Sequence, residues 1–311
     1  MLRKPLIVAT TLLTAAGLFV AGMLSHARHW EPTAILQHWR GQLRDFGLWP
    51  ATDLQIRKDF AWRRRIACPT ASGKTMVALI IGQSQAANSV GERFVGARGV
   101  VNVFRRRCYE AMDPLLGTTH DFGNLWTFVG NELVARHVFD NVVLIMGAVG
   151  GSRIAEWAPG GRLSDHLLRR ARDVPEGLSI THVIIQQGEA DRLAGTSRER
   201  YRENLTGVMA ALRREGIAAP IFVAIESRFC EEPGRLPDYS NPVALAQRDV
   251  VAQESAAFAG ADMDRIAASR GDRYDGCHLS GAGARKLGEA WIAILRNNEE
   301  HLGKARESQA R

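Results

Sequence analysis

Four short stretches of the chain carry the residue types that acyl transfer needs. The first is "IIGQSQA", where an apolar run stops on Gly82, Gln83, Ser84 and Gln85. The second is "GAVGGSRIAEW", with Gly150, Gly151, Arg153 and Trp157. The third is "QQGEAD", with Gln187 and Glu189, and the fourth is "DGCHLSGAG", with Asp275 and His278. A serine hydroxyl becomes a nucleophile when a base takes its proton, and histidine is the usual base near neutral pH. A carboxylate then fixes the imidazole tautomer and stabilises its cation. Asp275 and His278 are close enough in sequence for one Gly-rich loop to carry both. The oxyanion of such a reaction needs preset donors. The Ser84 amide, a glycine amide at Gly150 or Gly151 and the Gln187 side chain are available.

Each stretch alone has an ordinary reading: a turn serine, a helix-entry glycine pair, hydrogen-bonded core polars, an Asp–His cap. What separates the catalytic reading from these is that the first three follow the ends of apolar runs, with the fourth near the C-terminus. The runs are "MVALII" (76–81), "VVNVF" (100–104), "VVLIM" (142–146), "HVIIQ" (182–186) and "IFVAI" (221–225). They are short, β-branched and continuous, as strands buried on both faces are. Helical patterns alternate with them, including "NLWTFVGNELVARHVF" and "RERYRENLTGVMAALRREG". The second puts Leu205, Val208, Met209 and Leu212 on one face and stops at Gly216. Alternation of this kind implies an α/β fold with a parallel sheet and helices on both sides. In such sheets ligands sit outside the carboxyl ends of the strands, which is the edge where the four stretches are expected to gather.

Two other motifs fail on context. "SGKT" at 72–75 ends like a phosphate loop, but Cys68 stands where its first glycine belongs, and it precedes a strand. The G-x-S-x-G elbow is absent, because Ala86 occupies the second glycine position. No zinc-protease helix or carboxylate cluster calls for a metal, and no cofactor is expected.

The four stretches together resemble the SGNH hydrolase superfamily, in its sialate O-acetylesterase and acetyl xylan esterase branch (carbohydrate esterase family 6-like). That branch reads GQSN, then GGS or GGT with a following Trp, then QGESD or QGEAD, then DxxHL. "AMDPLLG" at 111–117 also resembles a segment of it. The likeness runs in order from about Val77 to the last helix. It implies Ser84 as nucleophile, His278 as base and Asp275 as its orienter. It implies an oxyanion hole from Ser84, Gly150 or Gly151, and Gln187, with Glu189 as a buried acceptor holding the loops. Gln83 and Gln85 would brace the nucleophile turn, and Trp157 and Arg153 would face substrate. The implied fold is a three-layer α/β/α sandwich around a five-stranded parallel sheet. Gln85 replaces the usual asparagine, Gln186 a common histidine and Arg192 a small residue. Cys277 would pair with Cys230, which follows the fifth strand at the same edge, leaving Cys68 with Cys108.

The 311 residues are 46% hydrophobic and 23% charged, with a formal net charge of +7, an ordinary globular balance. The basic excess reads as a solvated surface, and no nucleic-acid motif accompanies it. Arg3 and Lys4 precede an uncharged run over 5–24, which reads as a transmembrane anchor that exports the rest of the chain. Cleavage after "SHA" (25–27) is the alternative. The division is therefore an anchor or signal over 1–27, a juxtamembrane helix and connector over 28–74, an SGNH hydrolase domain over 75–298 and a tail over 299–311. The expected activity is serine-dependent deacetylation of an acetylated carbohydrate outside the cytoplasm of a bacterial-type cell, at its inner membrane. The alternatives are a polysaccharide O-acetyltransferase and a non-catalytic glycan-binding module.

Overall fold

The computed structural model describes residues 63–71, 74–228 and 238–309. The expected anchor, the juxtamembrane helix and Cys230 lie outside them. Among the described residues no helix is long and apolar enough to cross a membrane.

One eight-stranded sheet organises the domain, in the order β1-β4-β3-β5-β2-β6-β7-β8. Its strands are β1 (Arg65–Ile66), β2 (Thr75–Gly82), β3 (Val100–Phe104), β4 (Arg107–Glu110), β5 (Asn141–Met146), β6 (His182–Gln186), β7 (Ile221–Ile225) and β8 (Ala257–Asp262). Strands β3, β5, β2, β6, β7 and β8 run parallel, while β4 and β1 add antiparallel at one edge. All five apolar runs are strands. The sheet is nonetheless larger than the expected five-stranded parallel one, and mixed. "AFAGAD" of β8 has neither β-branched residues nor a long apolar run to mark it. The β1 and β4 segments are short and carry arginines. Arg65 and Ile66 extend the sheet into what reads in sequence as connector, and a Cys68–Cys108 disulfide ties that segment to β4.

Alternate residues of β2 serve two cores. Met76, Ala78 and Ile80 pack with α1 (Leu125–Ala135) and α8 (Gly281–Gln309), through residues such as Trp126, Leu133, Leu287 and Trp291. Val77, Leu79 and Ile81 pack on the other face with α2 (Ile154–Trp157), α3 (Ser164–Ala171), α5 (Arg198–Arg214) and α6 (Pro242–Gln253). The period of two along a strand produces this division, and burial on both sides accounts for the unbroken apolar run. The result is three layers, helices over sheet over helices. Two short helices, α4 (Glu189–Leu193) and α7 (Met263–Ile266), follow β6 and β8. Helix α8 runs on to Gln309 through the expected tail, whose Glu, Lys, Ala and Arg are good helix formers.

The chain crosses from β5 to β6 on opposite sides of β2. The carboxyl end of β2 is therefore a topological switch point, where a doubly wound sheet opens a crevice.

Candidate active site

Strand β2 ends at Gly82, with φ at 141° and its Cα so near β6 that a Cβ would lie 1.9 Å from the Gln186 carbonyl oxygen. Only glycine fits there, and the chain turns at once. Ser84 opens a 3-10 turn over Ser84–Ala86, whose leading amides have no partner inside the turn. The Ser84 carbonyl accepts from the Ala87 amide at 2.9 Å and from Ser89 Oγ. Gln83 reaches one way: its Nε2 donates to Glu189 Oε2 at 2.8 Å, and its Oε1 accepts from the Gly188 and Ala190 amides. Gln85 reaches the other way, donating from Nε2 to the Cys277 carbonyl at 3.0 Å. The two glutamines thus clamp the serine turn between the loop after β6 and the loop that carries His278.

In that second loop, Asp275 Oδ2 meets His278 Nδ1 at 2.7 Å. Its Oδ1 accepts from the Cys277 amide at 2.9 Å and the His278 amide at 2.6 Å. Burial works to raise the Asp275 pKa, but the hydrogen bonds and charge of His278 and the loop amide outweigh it, holding the carboxyl at about 2. Asp275 is therefore anionic and fixes Nδ1 as the protonated nitrogen, leaving Nε2 free to accept. The loop is sewn to the segment after Ser84 again by the Gly91 amide, which donates to the Leu279 carbonyl at 2.8 Å. Ser84 and His278 are not themselves hydrogen-bonded; catalytic bonds of this kind often tighten only around substrate.

The glycine pair follows β5. The Gly150 amide donates to Thr119 Oγ1 at 2.9 Å. Gly151, with φ at 68°, is exposed, and nothing lies within 4 Å of where its side chain would be. Gln187 is buried and its carboxamide is engaged inside the protein. Its Nε2 donates to Asp191 Oδ2 at 2.5 Å and to the Ser152 carbonyl at 3.0 Å, and its Oε1 accepts from Tyr201 Oη. It braces the loops instead of presenting donors to the crevice. Trp157 differs from expectation too: it is 1% exposed, with its Nε1 on Ser152 Oγ, so it offers no face to a sugar. Arg153 caps α2, and its charge acts on buried Asp191.

Glu189 is buried, as an internal acceptor must be. One oxygen takes Gln83, and the other lies 3.6 Å from Arg273 Nη1. Burial raises its pKa more than Arg273 lowers it. Glu226 lies nearby and is fully buried, and burial together with the charges of Glu189 and Asp264 raises its pKa well above the usual range.

Several residues at the site lie outside the four sequence motifs. Asn88, just past the serine turn, bonds both the amide and carbonyl of Leu115, the carbonyl of His120 and the side chain of Asn124. It fastens the loop before α1 to the serine turn. That loop brings His120, with a left-handed φ of 67°, against Gly150, its ring centroid 6.1 Å from that of His278. The His120 pKa is lowered by the protein packed around the ring and then by His278. Tyr274 also stacks on His278, with ring centroids 6.2 Å apart. The segment 118–124, "TTHDFGN", has a loop composition that conceals this role. Among the described residues no group of three His, Cys, Asp or Glu side chains could hold a metal ion. Cys277 is disulfide-bonded; its expected partner, Cys230, is outside the described residues.

A family model described as "SASA: Carbohydrate esterase, sialic acid-specific acetylesterase" matches residues 103–295, from β3 to within α8. Among solved structures, a protein from Arabidopsis thaliana superposes with a TM-score of 0.58 at 20% identity, over 72% of this chain and 98% of its own. That likeness shows the fold. An acetyl-xylooligosaccharide esterase from Geobacillus gives 0.48 at 13% identity, over 71% of this chain and 94% of that one. A carbohydrate acetylesterase from Xanthomonas citri gives 0.46 at 15%, over 70% of this chain and 55% of that one. No curated protein matches in sequence.

Proposed function

The chain belongs to the carbohydrate esterase family of sialic acid-specific acetylesterases, and from that premise we propose that it is a serine esterase removing acetyl groups from an acetylated carbohydrate. Ser84 Oγ attacks the acetyl carbonyl carbon while His278 Nε2 takes its proton. Asp275 holds the ring tautomer and stabilises the cation that forms. The developing oxyanion is received by the Ser84 amide and a glycine amide after β5. Of the two glycines, Gly151 is the better candidate, because the Gly150 amide is taken by Thr119. Collapse of the intermediate breaks the ester C–O bond, and His278 returns its proton to the leaving sugar oxygen. Water then attacks acetyl-Ser84 with His278 again as base, and acetate leaves.

The observation that carries this reading is the Asp275–His278 pair, tied to the serine turn by the Gln85 bond to the Cys277 carbonyl. The test is steady-state hydrolysis of an aryl acetate. Ser84→Ala should lower kcat by at least about 10³-fold with the fold retained; full activity in that variant overturns the reading. We also place the protein outside the cytoplasm, a location supported by the Cys68–Cys108 disulfide and the bonded Cys277.

A further inference from the structure

Most large apolar side chains of the described residues are buried, and only Val95, Phe122, Phe258 and Tyr274 are substantially exposed. Single exposed apolar residues are ordinary and need no explanation. Phe122 and Tyr274 are not single. Their ring centroids are 6.1 Å apart, and Tyr274 in turn stacks on His278. Phe122 is 51% exposed and Tyr274 45% exposed, so a two-ring apolar surface opens to solvent one ring away from the base.

Both rings are held by the segments that build the site. The Phe122 amide donates to the Asn88 carbonyl at 3.1 Å, which sets it beside the nucleophile turn. The Tyr274 amide donates to the His278 carbonyl at 3.0 Å, and its ring lies against Gly91, where a Cβ would be 2.8 Å from Cδ1. A larger residue at position 91 would displace the ring. The surface is thus fixed in place before any ligand arrives, which lowers the ordering cost of binding. Flat aromatic faces suit a ligand with one apolar side.

We propose that Phe122 and Tyr274 form a subsite that takes a pyranose ring of the substrate, its C–H face laid on the aromatic pair. This rests on the esterase reading above and makes the pair a determinant of specificity for glycan over simple acetyl esters. The axial C–H groups on one face of a pyranose give it the apolar side the rings need. An aryl or alkyl acetate can reach Ser84 without using the outer ring.

The experiment compares Phe122→Ala, Phe122→Trp and wild type on a 4-nitrophenyl acetate and on an acetylated pyranoside oligosaccharide, with the non-acetylated oligosaccharide as inhibitor. Phe122 is chosen because it is half exposed and does not touch His278. Phe122→Ala should raise KM for the oligosaccharide about tenfold more than for the aryl ester, with kcat on the oligosaccharide within about twofold. It should weaken the inhibitor by a similar factor, about 1.4 kcal/mol. Phe122→Trp should restore both. An unchanged KM and inhibition constant overturns the subsite, as does an equal loss on both esters that tryptophan does not rescue. If wild type cleaves neither ester, the esterase reading falls and takes the subsite with it. If wild type cleaves both and Phe122→Ala discriminates no less well, the subsite alone falls.

Discussion

Asp275 is the residue whose electrostatics most constrain the chemistry. Its carboxyl is held near 2, so it remains ionised through any pH at which a histidine base can work. Asp275→Asn should keep the backbone turn yet favour the wrong imidazole tautomer, lowering kcat on an aryl acetate by about 10⁴-fold with little change in KM. Stopped-time assays of purified variant and wild type check this. The depressed pKa also fixes a sign. The stability that Asp275 contributes is present above the usual carboxylate pKa and lost as pH falls through its folded value near 2. At this scale the Asp275–His278 contact was legible in sequence, because the two residues are close enough for one Gly-rich loop to carry both. Gln187 and Trp157 were not legible in their actual roles. Whether a carboxamide faces a crevice or an internal aspartate depends on one rotamer, and whether a Trp is rim or core depends on the helix that carries it. Gln85, flagged as a departure from asparagine, has a physical reason in its reach to the Cys277 carbonyl.

The element that most needs explanation is the loop from Asp113 to Asn124. It has no helix or strand of its own except an isolated bridge at Gly123, yet it supplies Thr119 to Gly150 and His120 to the rim of the site. Asn88 holds it through hydrogen bonds at both ends, to Leu115 and Asn124, and the Asp113 carboxylate accepts from the Phe94 and Asn124 amides. Removing the Asn88 side chain leaves buried backbone groups of Leu115 without partners. Asn88→Ala should therefore cost about 2–3 kcal/mol in urea unfolding, and it should lower activity because the rim loosens. The strands were easier to read than this loop. A run such as "VVLIM" has one physical use, burial on both faces, whereas "TTHDFGN" satisfies any surface turn. The β8 strand escaped because alanine and glycine carry no β signal; it forms by pairing with β7, not by propensity.

On the scale of the molecule, the domain carries buried acids near the candidate site. Glu189, Glu226 and Asp264 all have pKa values raised chiefly by burial. The folded state therefore keeps their protons to higher pH than the unfolded chain does. Their contribution to stability is full below the ordinary carboxylate pKa and is lost as pH rises through the folded values. The melting temperature should accordingly decline from pH 5 to pH 8, and Glu226→Gln should flatten that decline while changing little at pH 5. Thermal unfolding across that range measures both. A parallel sheet with helices on both sides could be anticipated from periodicity and spacing, whereas the strand order that makes β2 a switch point could not. The buried acids could not, since nothing local marks a glutamate as internal.

The central claim is that Ser84 is the nucleophile, and covalent trapping tests it most directly. The full-length protein is treated with a fluorophosphonate ester and mapped by peptide mass spectrometry. A single adduct on Ser84, formed in step with loss of aryl acetate hydrolysis and absent from Ser84→Ala, is the expected result. Loss of activity with the adduct on another residue, or persistent activity in a protein fully modified at Ser84, would contradict it.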